Sequence, residues 1–92
     1  YEKAVLAKAH DVPFYVAAPL STFDFSCQKG ENIPIEIRDE AEIKCIGDVC
    51  TANPGSTALN PAFDITPAAY ISGIITPKGV FEPEGAAQKV QQ

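Results

Sequence analysis

Residues 60–67 restrict the fold of this chain more than any other stretch, because they place two prolines and a carboxylate directly ahead of an apolar run. Pro61 and Pro67 each fix their own backbone φ angle, and they drive the preceding residues, Asn60 and Thr66, towards extended backbone. A loop of this kind has little conformational freedom left to lose on folding. The sequence therefore predicts a rigid loop that positions the side chains it carries.

An α-helix is predicted to follow this loop over residues 67–75. Thr66 can cap the helix through its hydroxyl, and Pro67 suits the first helical position because a missing N–H costs nothing there. Gly73 would let a neighbouring element approach the helix closely. At helical spacing, four apolar side chains share one stripe: Tyr70, Ile71, Ile74 and Ile75.

The first part of the chain predicts a helix followed by a strand. Residues 1–9 are rich in helix formers, and residues 13–18 form a short apolar run typical of a strand that is buried on both faces of a parallel sheet. In such sheets, ligands bind beyond the carboxyl ends of the strands. Residues 18–22 are therefore a candidate binding segment, and their small side chains leave room there.

The remaining segments predict short elements in an α/β arrangement. Residues 33–38 fit an edge strand or an extended arm, and residues 39–43 fit a helical turn. Residues 80–81 could add a very short strand, and Pro83 could open a terminal helix that ends near Val90. The order of elements predicts an α/β fold that is the later half of a wound domain.

Charge and hydropathy exclude two classes of partner. The net charge is −5, and the seven basic residues are scattered, so no basic stripe suits a nucleic-acid backbone. No apolar run approaches the roughly 20 residues that span a bilayer, so no membrane segment is expected. The chain begins at Tyr1 without an initiator Met, which is interpreted as a piece of a longer polypeptide.

The three cysteines lack the spacing of a metal site or a disulfide framework. Cys27, Cys45 and Cys50 contain no CxxC motif, and the single histidine, His10, lies far away in sequence. Cys45 and Cys50 could pair in principle, but the favoured interpretation is small buried apolar residues or unreactive surface thiols. A reducing cytoplasm is therefore the expected location, and no metal is expected.

Three polar side chains have two open interpretations each. Asp64 lies between Phe63 and Ile65, so its carboxylate either accepts hydrogen bonds from nearby N–H groups or faces a polar ligand, and the structural role is favoured. The hydroxyls of Ser21 and Thr22 either contact a ligand or satisfy their own turn.

Four ordered motifs carry a resemblance to a known family: residues 12–24, 33–36, 60–67 and 74–79. Together they make the chain resemble the methylthioribose-1-phosphate isomerases, which share a fold with ribose-1,5-bisphosphate isomerases and the regulatory subunits of translation initiation factor 2B. The Ala-Ala-Pro-x-Ser-Thr and Asn-Pro-Ala-Phe-Asp stretches are more similar to the methylthioribose branch. The resemblance implies that residues 1–92 belong to the C-terminal half of a Rossmann-like domain with a mostly parallel sheet.

The same resemblance implies an enzymatic function. It is the isomerisation of a sugar phosphate, from 5-methylthioribose 1-phosphate to 5-methylthioribulose 1-phosphate in methionine salvage, without a cofactor. The family's catalytic Cys and Asp precede the matching segment, so none of the catalytic residues is expected in this chain, and the chain alone is expected to be inactive. The expected partners are the remainder of the same protein and a second copy in a homodimer.

Seven residues are expected to line or support the substrate pocket: Ala18, Pro19, Ser21, Thr22, Asn60, Pro61 and Asp64. Two alternatives to the methylthioribose enzyme remain. A regulatory subunit would use the same fold without turnover, and it would lack the upstream Cys and Asp. A ribose-1,5-bisphosphate isomerase would need additional basic residues for a second phosphate, and this segment has no such cluster.

Overall fold

The computed structural model describes residues 1–92 and contains both helices and strands, so the chain is α/β, as predicted. Its α-helices are α1 (Glu2–Ala9), α2 (Ala41–Lys44) and α3 (Ala86–Gln91). Its strands are β1 (Tyr15–Ala17), β2 (Cys45–Ile46), β3 (Val49–Cys50), β4 (Gly73–Thr76) and β5 (Gly79–Phe81). Short 3₁₀ turns occur at Leu20–Thr22, Gly30–Asn32 and Ala68–Tyr70. None of the helices has the length and apolar character needed to cross a membrane.

The residues form two compact units. The first unit contains Tyr1–Ile33 and Ile65–Gln92, and the second contains Pro34–Asp64. The first unit is built on a three-stranded sheet in the order β1, β4, β5, and the second contains the two-stranded sheet of β2 and β3. The buried apolar side chains all belong to the helices of the first unit: Ala4, Ala86 and Val90.

The sheet of the first unit is mixed. β1 and β4 are parallel, with Tyr15 opposite Gly73 and Ala17 opposite Ile75. β4 and β5 are antiparallel and connected by a tight turn at residues 77–78, and Gly79, the first residue of β5, has a φ of 132°. The predicted strand in residues 13–18 is confirmed, but its predicted burial on both faces is wrong. β1 pairs only with β4, so it is an edge strand in this chain. Tyr15, on one face of β1, is 53% exposed.

The predicted helix over residues 67–75 is wrong. The chain makes a single 3₁₀ turn at Ala68–Tyr70 and then enters β4. Pro67 has a ψ of 142° and is itself extended, so it does not begin an α-helix, and no side chain caps the turn. The β-branched run that ends β4 favours a strand, and pairing with β1 and β5 satisfies the β4 backbone on both edges. The four-residue apolar stripe therefore does not exist.

Gly73 does allow a close approach, as predicted, but across a sheet instead of between helices. A Cβ atom at Gly73 would lie 2.8 Å from Cε1 and 3.0 Å from Cδ1 of Tyr15. These separations are shorter than carbon atoms tolerate. The aromatic ring of Tyr15 therefore occupies the space that any side chain at position 73 would need.

Other short elements agree with the sequence. The first helix, the strand at residues 80–81 and the terminal helix are confirmed, with bounds that differ by a few residues. α2 confirms the helical turn predicted near residues 39–43. Residues 33–38 form no strand, but Ile37 makes an isolated antiparallel bridge with Pro61, so the extended-arm interpretation is the observed one.

The interpretation of Cys45 and Cys50 as unpaired is wrong, because the two residues form a disulfide bond. They lie directly opposite each other in the β2–β3 hairpin, whose turn contains Gly47 with a φ of 59°. Gly47-Asp48 between apolar residues is a recognised two-residue hairpin signal, and it could have revealed the pairing. Cys27 is a free, half-buried thiol.

Candidate functional site

The first group of predicted site residues lies at the carboxyl edge of the sheet in the first unit. β1 and β4 are parallel, so they end at the same edge, and the Ala18 N–H donates to the Ile75 carbonyl over 2.9 Å. Pro19 follows with extended backbone and begins the 3₁₀ turn Leu20–Thr22. The structure thus places Ala18, Pro19, Ser21 and Thr22 at the ligand-binding edge expected for parallel strands.

Backbone hydrogen bonds close the turn that carries Ser21 and Thr22. The N–H of Thr22 donates to the Pro19 carbonyl over 3.0 Å, and the N–H of Phe23 donates to the Leu20 carbonyl over 3.2 Å. Both residues are exposed, and neither hydroxyl takes part in these bonds. The turn is therefore formed by its backbone, and the hydroxyls of Ser21 and Thr22 are not needed to hold it. Contact with a ligand stays a prediction.

Thr76 organises the neighbouring end of β4. Its buried hydroxyl donates to the Gly79 carbonyl over 2.9 Å and accepts from the Lys78 N–H over 3.1 Å. The Lys78 ammonium donates to the carbonyls of Val90 and Gln92, at 2.6 and 2.9 Å. The turn after β4 is thus held by Thr76 and is joined through Lys78 to the end of α3.

The second group of predicted site residues, Asn60, Pro61 and Asp64, belongs to the second unit. We call residues 60–64 the 60–64 segment. The Arg38 N–H donates to the Asn60 carbonyl and the Ala62 N–H donates to the Glu36 carbonyl, both over 2.8 Å. These two bonds surround the bridge between Ile37 and Pro61. The extended arm at residues 36–38 therefore holds the segment on both sides of Pro61. This agrees with the rigid loop that the sequence predicts.

The Asn60 side chain anchors the segment to the start of α2. Its Nδ2 donates to the Asp39 carbonyl over 2.9 Å and lies 3.5 Å from Oε2 of Glu42. Glu42 also receives a bidentate pair of hydrogen bonds from the Arg38 guanidinium, with Nε–Oε2 at 2.8 Å and Nη2–Oε1 at 2.6 Å. Asn60 thus has a structural role within this unit. Asp64 is exposed, and its predicted support role stays a prediction.

Two carboxylates in the second unit have lowered pKa values. The backbone N–H of Ala58 donates to Glu40 over 3.0 Å, and this bond, followed by the charge of Lys44, lowers the pKa of Glu40. Hydrogen bonding from Arg38 is the main cause that lowers the pKa of Glu42. The hydrogen bonds of Glu40 and Glu42 therefore stabilise the chain around the 60–64 segment. No group of three His, Cys, Asp or Glu side chains is positioned to hold a metal ion.

These shifts predict a loss of order at acidic pH. A carboxylate whose pKa is lower in the folded state stabilises the fold above its unfolded pKa, near 4.5, and this stabilisation is lost as the pH falls through the folded value. Hydrogen exchange of the Ala58 amide should therefore accelerate as the pH is lowered below about 4.5, after correction for intrinsic exchange rates. Glu40→Gln should weaken this pH dependence, whereas Glu31→Gln, in the first unit, should preserve it. A Glu40→Gln protein with the full acid response would contradict the assignment.

Comparison with known proteins places this geometry in context. The model of the initiation factor 2 subunit family matches residues 1–83. A methylthioribose-1-phosphate isomerase from Heliobacterium modesticaldum is 55% identical over 83 residues, which are 90% of this chain and 24% of that protein. A 5-deoxyribose 1-phosphate isomerase from Moorella thermoacetica has the same identity and the same coverage. The chain spans about a quarter of the length of the curated relatives it matches.

Two solved structures of similar sequence have the same fold as this chain. The crystal structure of 5-methylthioribose 1-phosphate isomerase from Pyrococcus horikoshii OT3 superposes with a TM-score of 0.87 at 42% identity, covering 99% of this chain and 26% of the other. Subunit delta of the translation initiation factor eIF-2B from A. fulgidus superposes with a TM-score of 0.83 at 39% identity, covering 98% of this chain and 27% of the other. The short elements described above thus have counterparts in two larger proteins.

Proposed function

The chain belongs to the initiation factor 2 subunit family, and from this membership we propose that it is part of an S-methyl-5-thioribose-1-phosphate isomerase. The observation that carries the proposal is the 55% identity with a protein of that name over 90% of the chain. The identity with the eIF-2B subunit is lower, at 39%. In the same structural comparison the isomerase from Pyrococcus horikoshii is 42% identical, so the solved structures do not separate the two. The support for an enzyme over a regulatory subunit comes from the sequence relatives at 50–55% identity, which are named isomerases.

The proposed reaction converts an aldose phosphate into a ketose phosphate. Hydrogen moves from C2 to C1 of 5-methylthioribose 1-phosphate, which yields 5-methylthioribulose 1-phosphate without a redox cofactor. A transfer of this kind needs an acid and a base in a pocket that excludes water. We assign the catalytic Cys and Asp to sequence outside these 92 residues, so the 92-residue chain contributes pocket walls and not proton transfer.

Two segments of the chain supply those walls in this proposal. The first segment lies at the carboxyl edge of the parallel strand pair, where α/β folds bind their ligands. It contains Ala18, Pro19, Ser21 and Thr22. The free hydroxyls in the 3₁₀ turn are suited to bind the polar groups of a sugar phosphate. The 60–64 segment, with Asn60, Pro61 and Asp64, is the second part of the proposed wall. The hydrogen bonds that hold this segment rigid favour that role.

Two exposed apolar side chains on the sheet support a larger assembly. Tyr15 and Ile75, on the sheet of the first unit, are 53% and 43% exposed, although apolar strand residues are usually covered. Because the relatives are about four times as long, we propose that the remainder of the same protein covers this apolar surface. A homodimer and a cytoplasmic location complete the proposal. Size-exclusion chromatography with light scattering of the full-length protein tests the dimer.

A specific alternative concerns the substrate. The Moorella thermoacetica relative named 5-deoxyribose 1-phosphate isomerase is also 55% identical. Both substrates carry an apolar group at C5, either a methylthio group or a hydrogen, whereas ribose 1,5-bisphosphate carries a second dianion there. Identity over this segment therefore favours an apolar C5 substituent but does not separate the two compounds.

The decisive measurement is an assay of the full-length protein against all three compounds side by side. We expect turnover of methylthioribose 1-phosphate, weaker turnover of 5-deoxyribose 1-phosphate, and none of ribose 1,5-bisphosphate. We also expect no turnover by the isolated 92-residue chain. Conversion of none of the three by a folded full-length protein would reject the enzyme in favour of the regulatory subunit.

The hydroxyl of Thr22 offers a matched test of the pocket. Thr22→Val keeps the shape of the side chain and removes the donor, so a lost hydrogen bond to a phosphorylated sugar should raise KM roughly three- to tenfold. Thr57→Val makes the same change at another exposed threonine and should leave KM unchanged. Equal kinetics for both variants would remove Thr22 from the pocket and leave the proposed reaction intact.

A further inference from the structure

The β2–β3 hairpin has little non-covalent support of its own. It contains only two residue pairs, Cys45 with Cys50 and Ile46 with Val49. The side chains of Ile46 and Val49 are 79% and 65% exposed, so they bury little apolar surface. Two-stranded hairpins are marginally stable in water even when longer than this one. Among the residues of the hairpin itself, the Cys45–Cys50 disulfide is therefore the main restraint that keeps it closed.

This disulfide is accessible to small thiols. Cys50 is exposed and Cys45 is half-buried, and both line a cavity of about 260 Å³ on the second unit. Thiol–disulfide exchange requires a thiolate to reach a sulfur atom, so an accessible disulfide can be reduced without unfolding. In the reducing compartment proposed above, disulfides are usually transient and serve redox sensing or catalysis.

Hydrogen bonds connect the hairpin to the chain that follows it. Lys44 directly precedes Cys45, and its carbonyl accepts from the Thr51 N–H over 2.9 Å, just beyond Cys50. Its ammonium donates to the Ser56 carbonyl over 2.6 Å. These bonds hold the chain after Cys50 against Lys44, the last residue of α2.

The two residues just before α2 hold the chain that leads into the 60–64 segment and the segment itself. Glu40, just before α2, accepts from the Ala58 N–H over 3.0 Å, and the Asp39 carbonyl accepts from the Asn60 side chain over 2.9 Å. The bonds from the hairpin side thus end on Lys44, the last residue of α2, and those from the segment side end on Asp39 and Glu40, directly before that helix. Opening the hairpin removes one of the two restraints on that helix.

We propose that the Cys45–Cys50 disulfide is a redox-responsive cross-link that controls the order of the 60–64 segment. A thiolate of a small dithiol attacks one sulfur, the S–S bond breaks, and the other cysteine leaves as a thiolate that takes up a proton. The second thiol of the dithiol then releases the first cysteine. In total, two electrons and two protons pass to the cysteines, and the dithiol becomes a disulfide. A consequence for isomerase turnover rests on the proposed function, but the change in order does not.

Hydrogen exchange of the full-length protein tests the proposal without an activity assay. The oxidised protein is prepared with glutathione disulfide, and the reduced protein with dithiothreitol. In the chain-entropy model, a cross-link between cysteines with a sequence separation of 5 restrains the open hairpin by a factor of roughly 20 to 40. We therefore expect amides in residues 51–64 to exchange about 20- to 40-fold faster after reduction, whereas amides of β4 and β5 exchange equally in both states.

Two variants make the result specific. Cys45→Ser/Cys50→Ser should exchange rapidly in both conditions, and Cys27→Ser should respond to reduction as the unaltered protein does, since Cys27 is a free thiol. Equal exchange of the amides of residues 60–64 in the oxidised and reduced proteins would overturn the proposal. It would also be overturned if glutathione disulfide left both Cys45 and Cys50 as free thiols on mass analysis.

Discussion

Gly73→Ala is expected to destabilise the first unit by about 1–2 kcal/mol, the lower part of the usual range for overpacking, because Gly73 is buried but the Tyr15 ring against it is 53% exposed. The added Cβ would lie 2.8 Å from Cε1 of Tyr15, so either the Tyr15 ring must leave its place or β1 must move away from β4. The second response would also displace the turn Leu20–Thr22, which follows β1 directly. Chemical unfolding of the full-length protein, with hydrogen exchange of the β4 amides, measures the effect.

Gly30→Ala provides the matched control for this prediction. Neither glycine has a positive φ, so alanine fits the backbone at both positions and lowers the entropy of the unfolded chain equally. At position 30 the new Cβ would meet only a methyl group of Ile65, at 3.3 Å. Gly30→Ala should therefore change stability by less than about 0.5 kcal/mol. Equal effects at the two positions would show that the Tyr15 ring is not the obstacle.

A double-mutant cycle identifies the ring directly. Tyr15→Ala alone should destabilise the unit, because it removes the aromatic cover of Gly73. In the Gly73→Ala/Tyr15→Ala protein the clash is gone, so the combined loss should be smaller than the sum of the single losses by about 1 kcal/mol or more. Additive losses would contradict a direct contact between these two positions.

Thr76→Val is expected to cost about 1–2 kcal/mol, although valine has nearly the same shape as threonine. Thr76 is 9% exposed. Its hydroxyl makes two hydrogen bonds within the turn, because it donates to the Gly79 carbonyl and accepts from the Lys78 N–H. Valine would leave both backbone groups without this partner. Local loss of order should appear as faster exchange of the β5 amides, since β5 begins at Gly79.

Thr76→Ser separates the hydroxyl from the methyl group. Serine retains both hydrogen bonds and loses only one buried methyl group, so its exchange rates in β5 should remain close to those of the unaltered protein. If Thr76→Ser loosens β5 as much as Thr76→Val does, packing and not hydrogen bonding holds the turn. Circular dichroism of both variants checks that α3 remains formed.

The contrast between residues 13–18 and residues 67–75 shows where local sequence is informative. Residues 13–18 contain Pro13 and an apolar run, and a strand did form within them. Residues 67–75 carry an apolar pattern that fits a helix stripe and a strand about equally, because short apolar runs do not separate the two. The β-branched residues after Gly73 favoured the strand, but their weight became clear only with the partner strand in place.

The candidate site was predictable in part. The 18–22 segment was placed from one rule, that ligands bind beyond the carboxyl ends of parallel strands, and the structure puts these residues at such an edge. The structural role of Asn60 could not be derived, because its partner Asp39 is 21 residues away in sequence. The Cys45–Cys50 bond was missed although a Gly-Asp turn signal lies between the two cysteines.

The sequence by itself determined the α/β class, the first helix, the strand at Tyr15–Ala17 and the family, because these depend on local propensity and on ordered motifs. The tertiary structure alone decided that Gly73–Thr76 is a strand. The Ser72 N–H donates to the Phe14 carbonyl over 2.7 Å, across 58 residues of sequence. Backbone groups must find partners when they pack, and when a distant strand supplies them, that pairing outweighs a local helical pattern.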